Sequence, residues 1–335
     1  MDEPRRVYRS DPLNDADATE PKRSALPLFR VALGVAGLVL LAIIVHHVGF
    51  DSVVATLRPA LPWVPVLAAL ELLRIGCATM GSYFAFGPIA HRIPKATLFR
   101  AHLLGHSISQ IAPAPTVFNE TIKATLITPY TGVGPAAAVG FINQAATFLS
   151  NGLISIPCGV AILALRGPAS IWFYACAIHA VVLLGLGLAL QAATRADAPG
   201  RWLVAKFPSL ETRAFAFREH ARGIGLGARG PTQMLLLFRF LQMAQYAVAA
   251  HAVGLDVGLV RVFATEGVHL VAVAVGVLVP GGLGTTEGAF TLAADVLDTT
   301  VARATAVALL MRCMQLLWVG FGATMALVTR TRTSA

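Results

Sequence analysis

Apolar runs divided by short polar breaks dominate this chain. Leu28–Phe50, Trp63–Phe86, Ala136–Leu165, Ala169–Ala193, Pro231–Gly254 and Val301–Val328 are each long enough to cross a bilayer, for which about 20 residues suffice. Two further apolar regions are interrupted. Ala101–Thr128 carries His102, His106, Ser107, Ser109 and Gln110, then Pro113, Pro115, Asn119, Glu120 and Lys123. The run Val268–Val279 is followed by Pro280-Gly281-Gly282-Leu283-Gly284-Thr285-Thr286-Glu287-Gly288, after which Ala289–Leu297 is again mostly apolar. Hydrocarbon cannot hydrogen-bond freed backbone groups. A break at membrane depth is therefore tolerated only where protein or a wet cavity receives it.

The two breaks match. Pro113-x6-Glu120 and Pro280-x6-Glu287 share one Pro-to-Glu spacing, and a polar residue follows each: Gln144 after Glu120, Arg312 after Glu287. With the amino-terminus inside, six crossings plus two re-entrant hairpins put the amino-terminal tail, Gly87–Arg100, Thr194–Gly230, Arg330 and Arg332 on the inside. The main cation clusters then obey the positive-inside rule. The hairpin around Glu120 enters from the cytoplasm and the hairpin around Glu287 from outside, the pattern of an inverted-repeat transporter with its site near the midplane. The expected fold is an all-α polytopic membrane protein. A disordered cytoplasmic tail (1–27) precedes a first membrane repeat (28–193). A basic cytoplasmic segment (194–230), a second repeat (231–328) and a short tail (329–335) follow. If both broken segments cross fully, the chain has eight or more spans.

Composition agrees. Only 13% of the 335 residues are charged and 56% are hydrophobic, with a mean hydropathy of +0.70; a soluble domain carries about 25% charged residues. The net charge of +9 does not point to nucleic acid, because the cations sit at the ends of apolar runs. In Thr194–Gly230, seven cations and three anions are interleaved with Trp202, Phe207, Phe215 and Phe217. This reads either as an interfacial helix on anionic headgroups or as a solvated loop. Cys77, Cys158, Cys176 and Cys313 lie in apolar runs without metal-ligand spacing.

Ionisable residues at membrane depth are functional-site candidates. Glu287 stands beside Gly281, Gly282 and Gly284, where backbone can approach a ligand and a helix N-terminus favours phosphate. Its other reading is a first-turn glutamate satisfying the helix end. Arg312 and Arg239 carry the planar fork that matches phosphate; they could equally partner Glu287 or Glu266. Glu120 and Lys123, three apart, suit either a headgroup site or a self-neutralising pair. Glu71 and Arg74 read as a structural pair. His102 and His106, at i, i+4, lack the carboxylate or cysteine that would complete a metal set, so interfacial or pore-lining roles are favoured. Rossmann, P-loop and Ser-His-Asp patterns are not apparent. No cofactor is expected.

The run Val279-Pro280-Gly281-Gly282-Leu283-Gly284-x-x-Glu287-Gly288, with Arg312 in the last span, resembles the signature of the lysylphosphatidylglycerol synthase transmembrane-region family. The first half is similar through Pro113, Glu120 and Lys123. It departs where Asn143-Gln144 replaces an acidic-Arg pair and Pro113-Ala114-Pro115 replaces a more glycine-rich turn. The resemblance covers Leu28–Val328. It implies movement of an amphipathic lipid between leaflets, such as an aminoacylated phospholipid or a polyprenyl-linked sugar. The substrate site would include Glu120, Lys123, Pro280, Gly281, Gly282, Gly284, Glu287 and Arg312, with Arg239 as a further candidate. The second hairpin is favoured for an anionic headgroup. Without a fused synthase domain, lipid aminoacylation is not expected from this chain. The alternatives are a membrane-embedded lipid-modifying enzyme and a scaffold for a cytoplasmic lipid synthase. Expected partners are a membrane lipid substrate, anionic headgroups at the cytoplasmic face, and a second copy or a lipid synthase. The expected location is the plasma (inner) membrane, with both termini cytoplasmic.

Overall fold

The computed structural model describes residue 55 and residues 58–109, 115–224, 228–255, 258–279 and 282–331. The first expected span (Leu28–Phe50), the tail before it, Pro113, Pro280, Gly281 and residues 332–335 lie outside the described residues. Among the described residues there is no strand. The α-helices are α1 (Val64–Phe86), α2 (Lys95–Ser109), α3 (Pro115–Thr131), α4 (Val133–Arg166), α5 (Ile171–Arg195), α6 (Asp197–Lys206), α7 (Glu211–Gly223), α8 (Arg229–Ala252), α9 (Leu259–Val275), α10 (Thr285–Leu292) and α11 (Val301–Thr331).

Among the described residues, four stretches are helical, long and apolar enough to cross a membrane: Arg58–Arg92 around α1, α4, Ile171–Thr194 of α5, and Val301–Gly322 of α11. The expected span at Pro231–Gly254 forms α8, 24 residues long, but Arg239, Gln242 and Gln245 dilute its apolar character, and it is not one of the four. The outward surface is hydrocarbon-like. Val181 and Ile178 on α5 are 72% and 64% exposed, and Val160 on α4 is 58% exposed. In water such a surface would be a liability; in lipid it meets its own solvent.

Two ends of the bundle can be told apart. At the arginine-rich end, His220 Nε2 on α7 lies 3.0 Å from the Ala85 carbonyl at the end of α1, and Gly230 at the start of α8 packs on Phe84. At the other end, Trp63 meets His251 edge-on, with centroids 5.1 Å apart. The helices α2 and α3 pack together. They leave from and return to the arginine-rich end, since only Gly132 separates α3 from α4. The helices α9 and α10 do the reverse. Arg261 at the base of α9 pairs with Asp298, just before α11, at 2.6 Å.

Small residues bring the helices close, as is usual where lipid gives no hydrophobic drive between them. Ala304, Ala306 and Ala308 of α11 are buried in the largest core cluster, with Phe290 of α10 and Tyr246 of α8. On α4, a Cβ added at Gly152 would lie 2.8 Å from Leu184 Cγ, 3.0 Å from Leu184 N and 3.1 Å from the Ala180 carbonyl of α5. Gly152→Ala is therefore expected to cost about 1–3 kcal/mol through overpacking. An unchanged thermal midpoint in detergent would show that the α4–α5 contact is looser than this.

Within the basic segment 194–230, Asp197–Lys206 and Glu211–Gly223 are the helices α6 and α7. Phe217 packs edge-on against Phe141 of α4 at 5.5 Å, so α7 is docked on the bundle rather than free. Trp202, Phe207 and Phe215 remain exposed.

Candidate functional site

A polar cavity of about 210 Å³ lies where α1, α2, α3, α4 and α8 converge. The helix α4 gives it Asn143, Gln144, Thr147, Ser150 and Asn151. These fall on one face of a 34-residue helix, at spacings of three, four and seven that place them one above the other. From α2 come His102, His106 and Ser109; from α3, Asn119, Glu120 and Lys123; from α8, Arg239. Apolar wall is supplied by Ile75, Leu235 and Phe238.

The charges around the cavity are paired. Lys123 donates to Glu120 within α3. On α8, Arg239 donates from Nε to Asn151 Oδ1 at 2.7 Å and from Nη1 to Gln242 Oε1 at 2.6 Å. Its Nη1 also lies 3.6 Å from Glu266 Oε1. Glu266 is fully buried, and neither of its oxygens has a hydrogen-bond partner among the described residues. Arg239 is therefore its main compensation. Ser82 accepts from Asn143 Nδ2 at 2.7 Å and lies 2.8 Å from His102 Nε2.

Behind the cavity, Arg74 ties α1 to α8. It pairs with Glu71 one turn back. It also donates from Nη1 to Gln245 Oε1 at 2.7 Å and from Nη2 to Gln242 Oε1 at 2.9 Å, and its guanidinium lies 4.2 Å from the Phe238 ring centroid. Glu71 in turn meets His106 Nε2 at 2.9 Å and accepts from Gln245 Nε2 at 2.9 Å. His269 lies 2.6 Å from Gln242 Nε2 and 2.7 Å from the Tyr246 hydroxyl. The pair foreseen as Glu71–Arg74 is thus one corner of a network crossing α1, α2, α8 and α9.

Glu287 and Arg312 form a second, closed cluster. Glu287 is fully buried on α10. Arg312 on α11 donates from Nε to Glu287 Oε1 at 2.8 Å, from Nη2 to the Gly282 carbonyl at 3.0 Å, and from Nη1 to Gln315 Oε1 at 2.9 Å. Gly282 and Gly284 have φ of +60° and +74°, a left-handed conformation that glycine adopts without the cost of a Cβ. The turn therefore presents its carbonyl to the arginine. Of the expected site residues, the structure brings Glu120, Lys123 and Arg239 into one cavity. It sets Gly282, Gly284, Glu287 and Arg312 in a separate clamp that does not line that cavity, and Pro280 and Gly281 are outside the described residues. Residues of α2 and α3 line the cavity, and none of α9 or α10 does.

Sequence reasoning passed over Asn151, Ser150 and Thr147. Their signal is a polar stripe at helical spacing inside an uncharged apolar run. It weighed Arg239 without Gln242 and Gln245, which follow it at i+3 and i+6 on the same helix. His102 and His106 both line the cavity. Among the described residues, no cluster of three or more His, Cys, Asp or Glu side chains could hold a metal.

Lipid-facing helices around an interior of paired charges and a polar cavity define a helical integral membrane protein. The family model described as "Lysylphosphatidylglycerol synthase TM region" matches residues 28–322, and the chain belongs to this family. Comparison with curated proteins and with solved structures gives no match.

Proposed function

We propose that the chain is a lipid translocase that passes the headgroup of an amphipathic lipid through the polar cavity while the tails stay in the bilayer. The observation that carries this reading is the cavity itself: about 210 Å³, lined by amides, hydroxyls and balanced charges, between helices whose outer faces suit lipid. Its chemistry fits a phosphate, sugar or aminoacyl headgroup. Amide and hydroxyl groups hydrogen-bond any of these, and Lys123 and Arg239 supply cations for an anionic one.

In this reading α2–α3 and α9–α10 are re-entrant hairpins of an inverted repeat, within a bundle of six spans counting Leu28–Phe50. Their support is that each pair leaves from and returns to one end, and the two ends are opposite. The arginine-rich end is then cytoplasmic in a plasma membrane, as positive-inside bookkeeping requires. Rocking of one repeat against the other alternates access. The Glu287–Arg312 clamp holds the second hairpin to α11 and so positions the moving unit without touching the headgroup.

The test uses proteoliposomes containing fluorescent NBD-phosphatidylglycerol, with dithionite bleaching the outer leaflet. Wild-type protein is expected to bleach the inner-leaflet pool faster than empty vesicles. Gln144→Leu and Lys123→Gln are expected to slow this at least about tenfold, because each removes a cavity group, worth about 1.4 kcal/mol or more per decade of rate. Wild-type protein no faster than empty vesicles, across phosphatidylglycerol, lysyl-phosphatidylglycerol and polyprenyl-phosphate probes, would overturn the proposal. A covalently altered lipid formed in detergent would instead mark a lipid-modifying enzyme.

A further inference from the structure

We propose that a second groove, between α4, α5 and α7 at the arginine-rich end, is a binding site for an anionic phospholipid, separate from the polar cavity. It has a volume of about 430 Å³. Its walls are almost wholly apolar, with Ala137 and Phe141 from α4, Leu190 and Ala193 from α5, and Ala214 and Phe217 from α7. Arg213 and Arg218 also line it. None of the residues lining the polar cavity is shared, so the site does not depend on the transport reading.

The occupant follows from position and charge. Both α4 and α5 are apolar enough to cross a membrane, and the groove lies at the end where their basic segment packs. Trp202 and Phe215 of that segment are 64% and 62% exposed. Exposed aromatics beside cations are the mark of the headgroup level. What meets an apolar groove at that depth is an acyl chain. A chain seated there brings its own phosphate within reach of the arginines that line the groove, Arg213 and Arg218. Guanidinium groups match phosphate geometry, and each cation near a surface adds attraction for anionic lipid. A zwitterionic headgroup would bring a choline cation to the same arginines and lose that gain. The backbone enforces the groove's shape. A Cβ at Gly134 would lie 2.8 Å from Ala216 Cβ and 3.0 Å from both the Arg213 carbonyl and the Phe217 nitrogen, so α7 is seated directly on α4. Phe141 and Phe217 close one wall.

The full chain, delipidated in detergent, would be titrated with dioleoyl-phosphatidylglycerol or dioleoyl-phosphatidylcholine and read by native mass spectrometry. Phosphatidylglycerol is expected to bind about tenfold more tightly. The double substitution Arg213→Gln/Arg218→Gln should remove that preference, since two surface cations together supply at least a tenfold factor. Ala193→Phe, at an exposed residue lining the groove, should weaken both lipids while the thermal midpoint holds; Ala137→Phe serves if it does not. Arg201→Gln/Lys206→Gln, which changes cations away from the groove, should leave phosphatidylglycerol binding unchanged. Equal binding of the two lipids overturns the proposal. So does binding that survives the filling substitutions, or an equal loss with the Arg201/Lys206 variant, which would mean adsorption to the basic surface. A helical peptide that co-purifies with the chain, with phosphatidylglycerol failing to bind once the peptide is removed, would assign the groove to a protein partner and also overturn it.

Discussion

Arg312→Ala is expected to destabilise the protein by about 3–5 kcal/mol, the cost of leaving a buried charge without its partner. Glu287 is fully buried, and its carboxylate is held by Arg312 Nε at 2.8 Å. The same guanidinium holds the Gly282 carbonyl, so the substitution also frees a backbone acceptor in a left-handed turn. Arg312→Lys should recover only part of the loss. An ammonium keeps the charge but lacks the fork that reaches a carboxylate and a carbonyl in two directions. Glu287→Gln/Arg312→Met removes both charges and should be milder than Arg312→Ala alone. The measurement is a double-mutant cycle on thermal midpoints in detergent. Additive effects of the two single substitutions would show that the clamp is not an energetic unit.

The second large effect is expected at Arg74. Arg74→Met keeps the length and apolar stem of the side chain but removes the hydrogen bonds to Gln242 and Gln245 and the partner of Glu71. The expected loss is about 3 kcal/mol, the lower part of the range for a broken buried pair, because Glu71 keeps His106 and Gln245. Gln242 also accepts from Arg239, so the disturbance should reach the cavity wall and slow lipid movement in vesicles. Arg74→Met with wild-type stability would show that α1 and α8 are held together by their apolar contacts alone.

The spans were legible because apolar length is a property of contiguous residues. Trp63–Phe86, Ala136–Leu165 and Val301–Val328 became helices within a few residues of those bounds. The Glu71–Arg74 contact was legible from its i, i+3 spacing. The Glu287–Arg312 contact stood among the readings because a buried carboxylate needs a cation, and Arg312 was at hand. The cavity was not legible. It depends on which faces of α1, α2, α3, α4 and α8 turn inward together, and single-helix periodicity is silent on that. Nor was its place beside α2 and α3 rather than α10. The conspicuous glycines drew attention to the turn before α10, where Gly282 and Gly284 take left-handed conformations and the Gly282 carbonyl accepts from Arg312. In the first half, Lys123 pairs with Glu120 inside one helix, and α4 offers the amides of Asn143 and Gln144 to the cavity.

The pairing of charges has an electrical consequence. Within the bundle, Glu71 stands with Arg74, Glu120 with Lys123, Glu266 with Arg239, and Glu287 with Arg312. With both members ionised, each pair is neutral. A displacement that carries a pair as a unit moves no net charge through the membrane field, although a lone charge crossing it would feel about 2.3 kcal/mol per 100 mV. Under the proposed lipid translocation, any voltage dependence is then set by the charge of the headgroup, and a neutral lipid would move equally well across a polarised and a depolarised membrane.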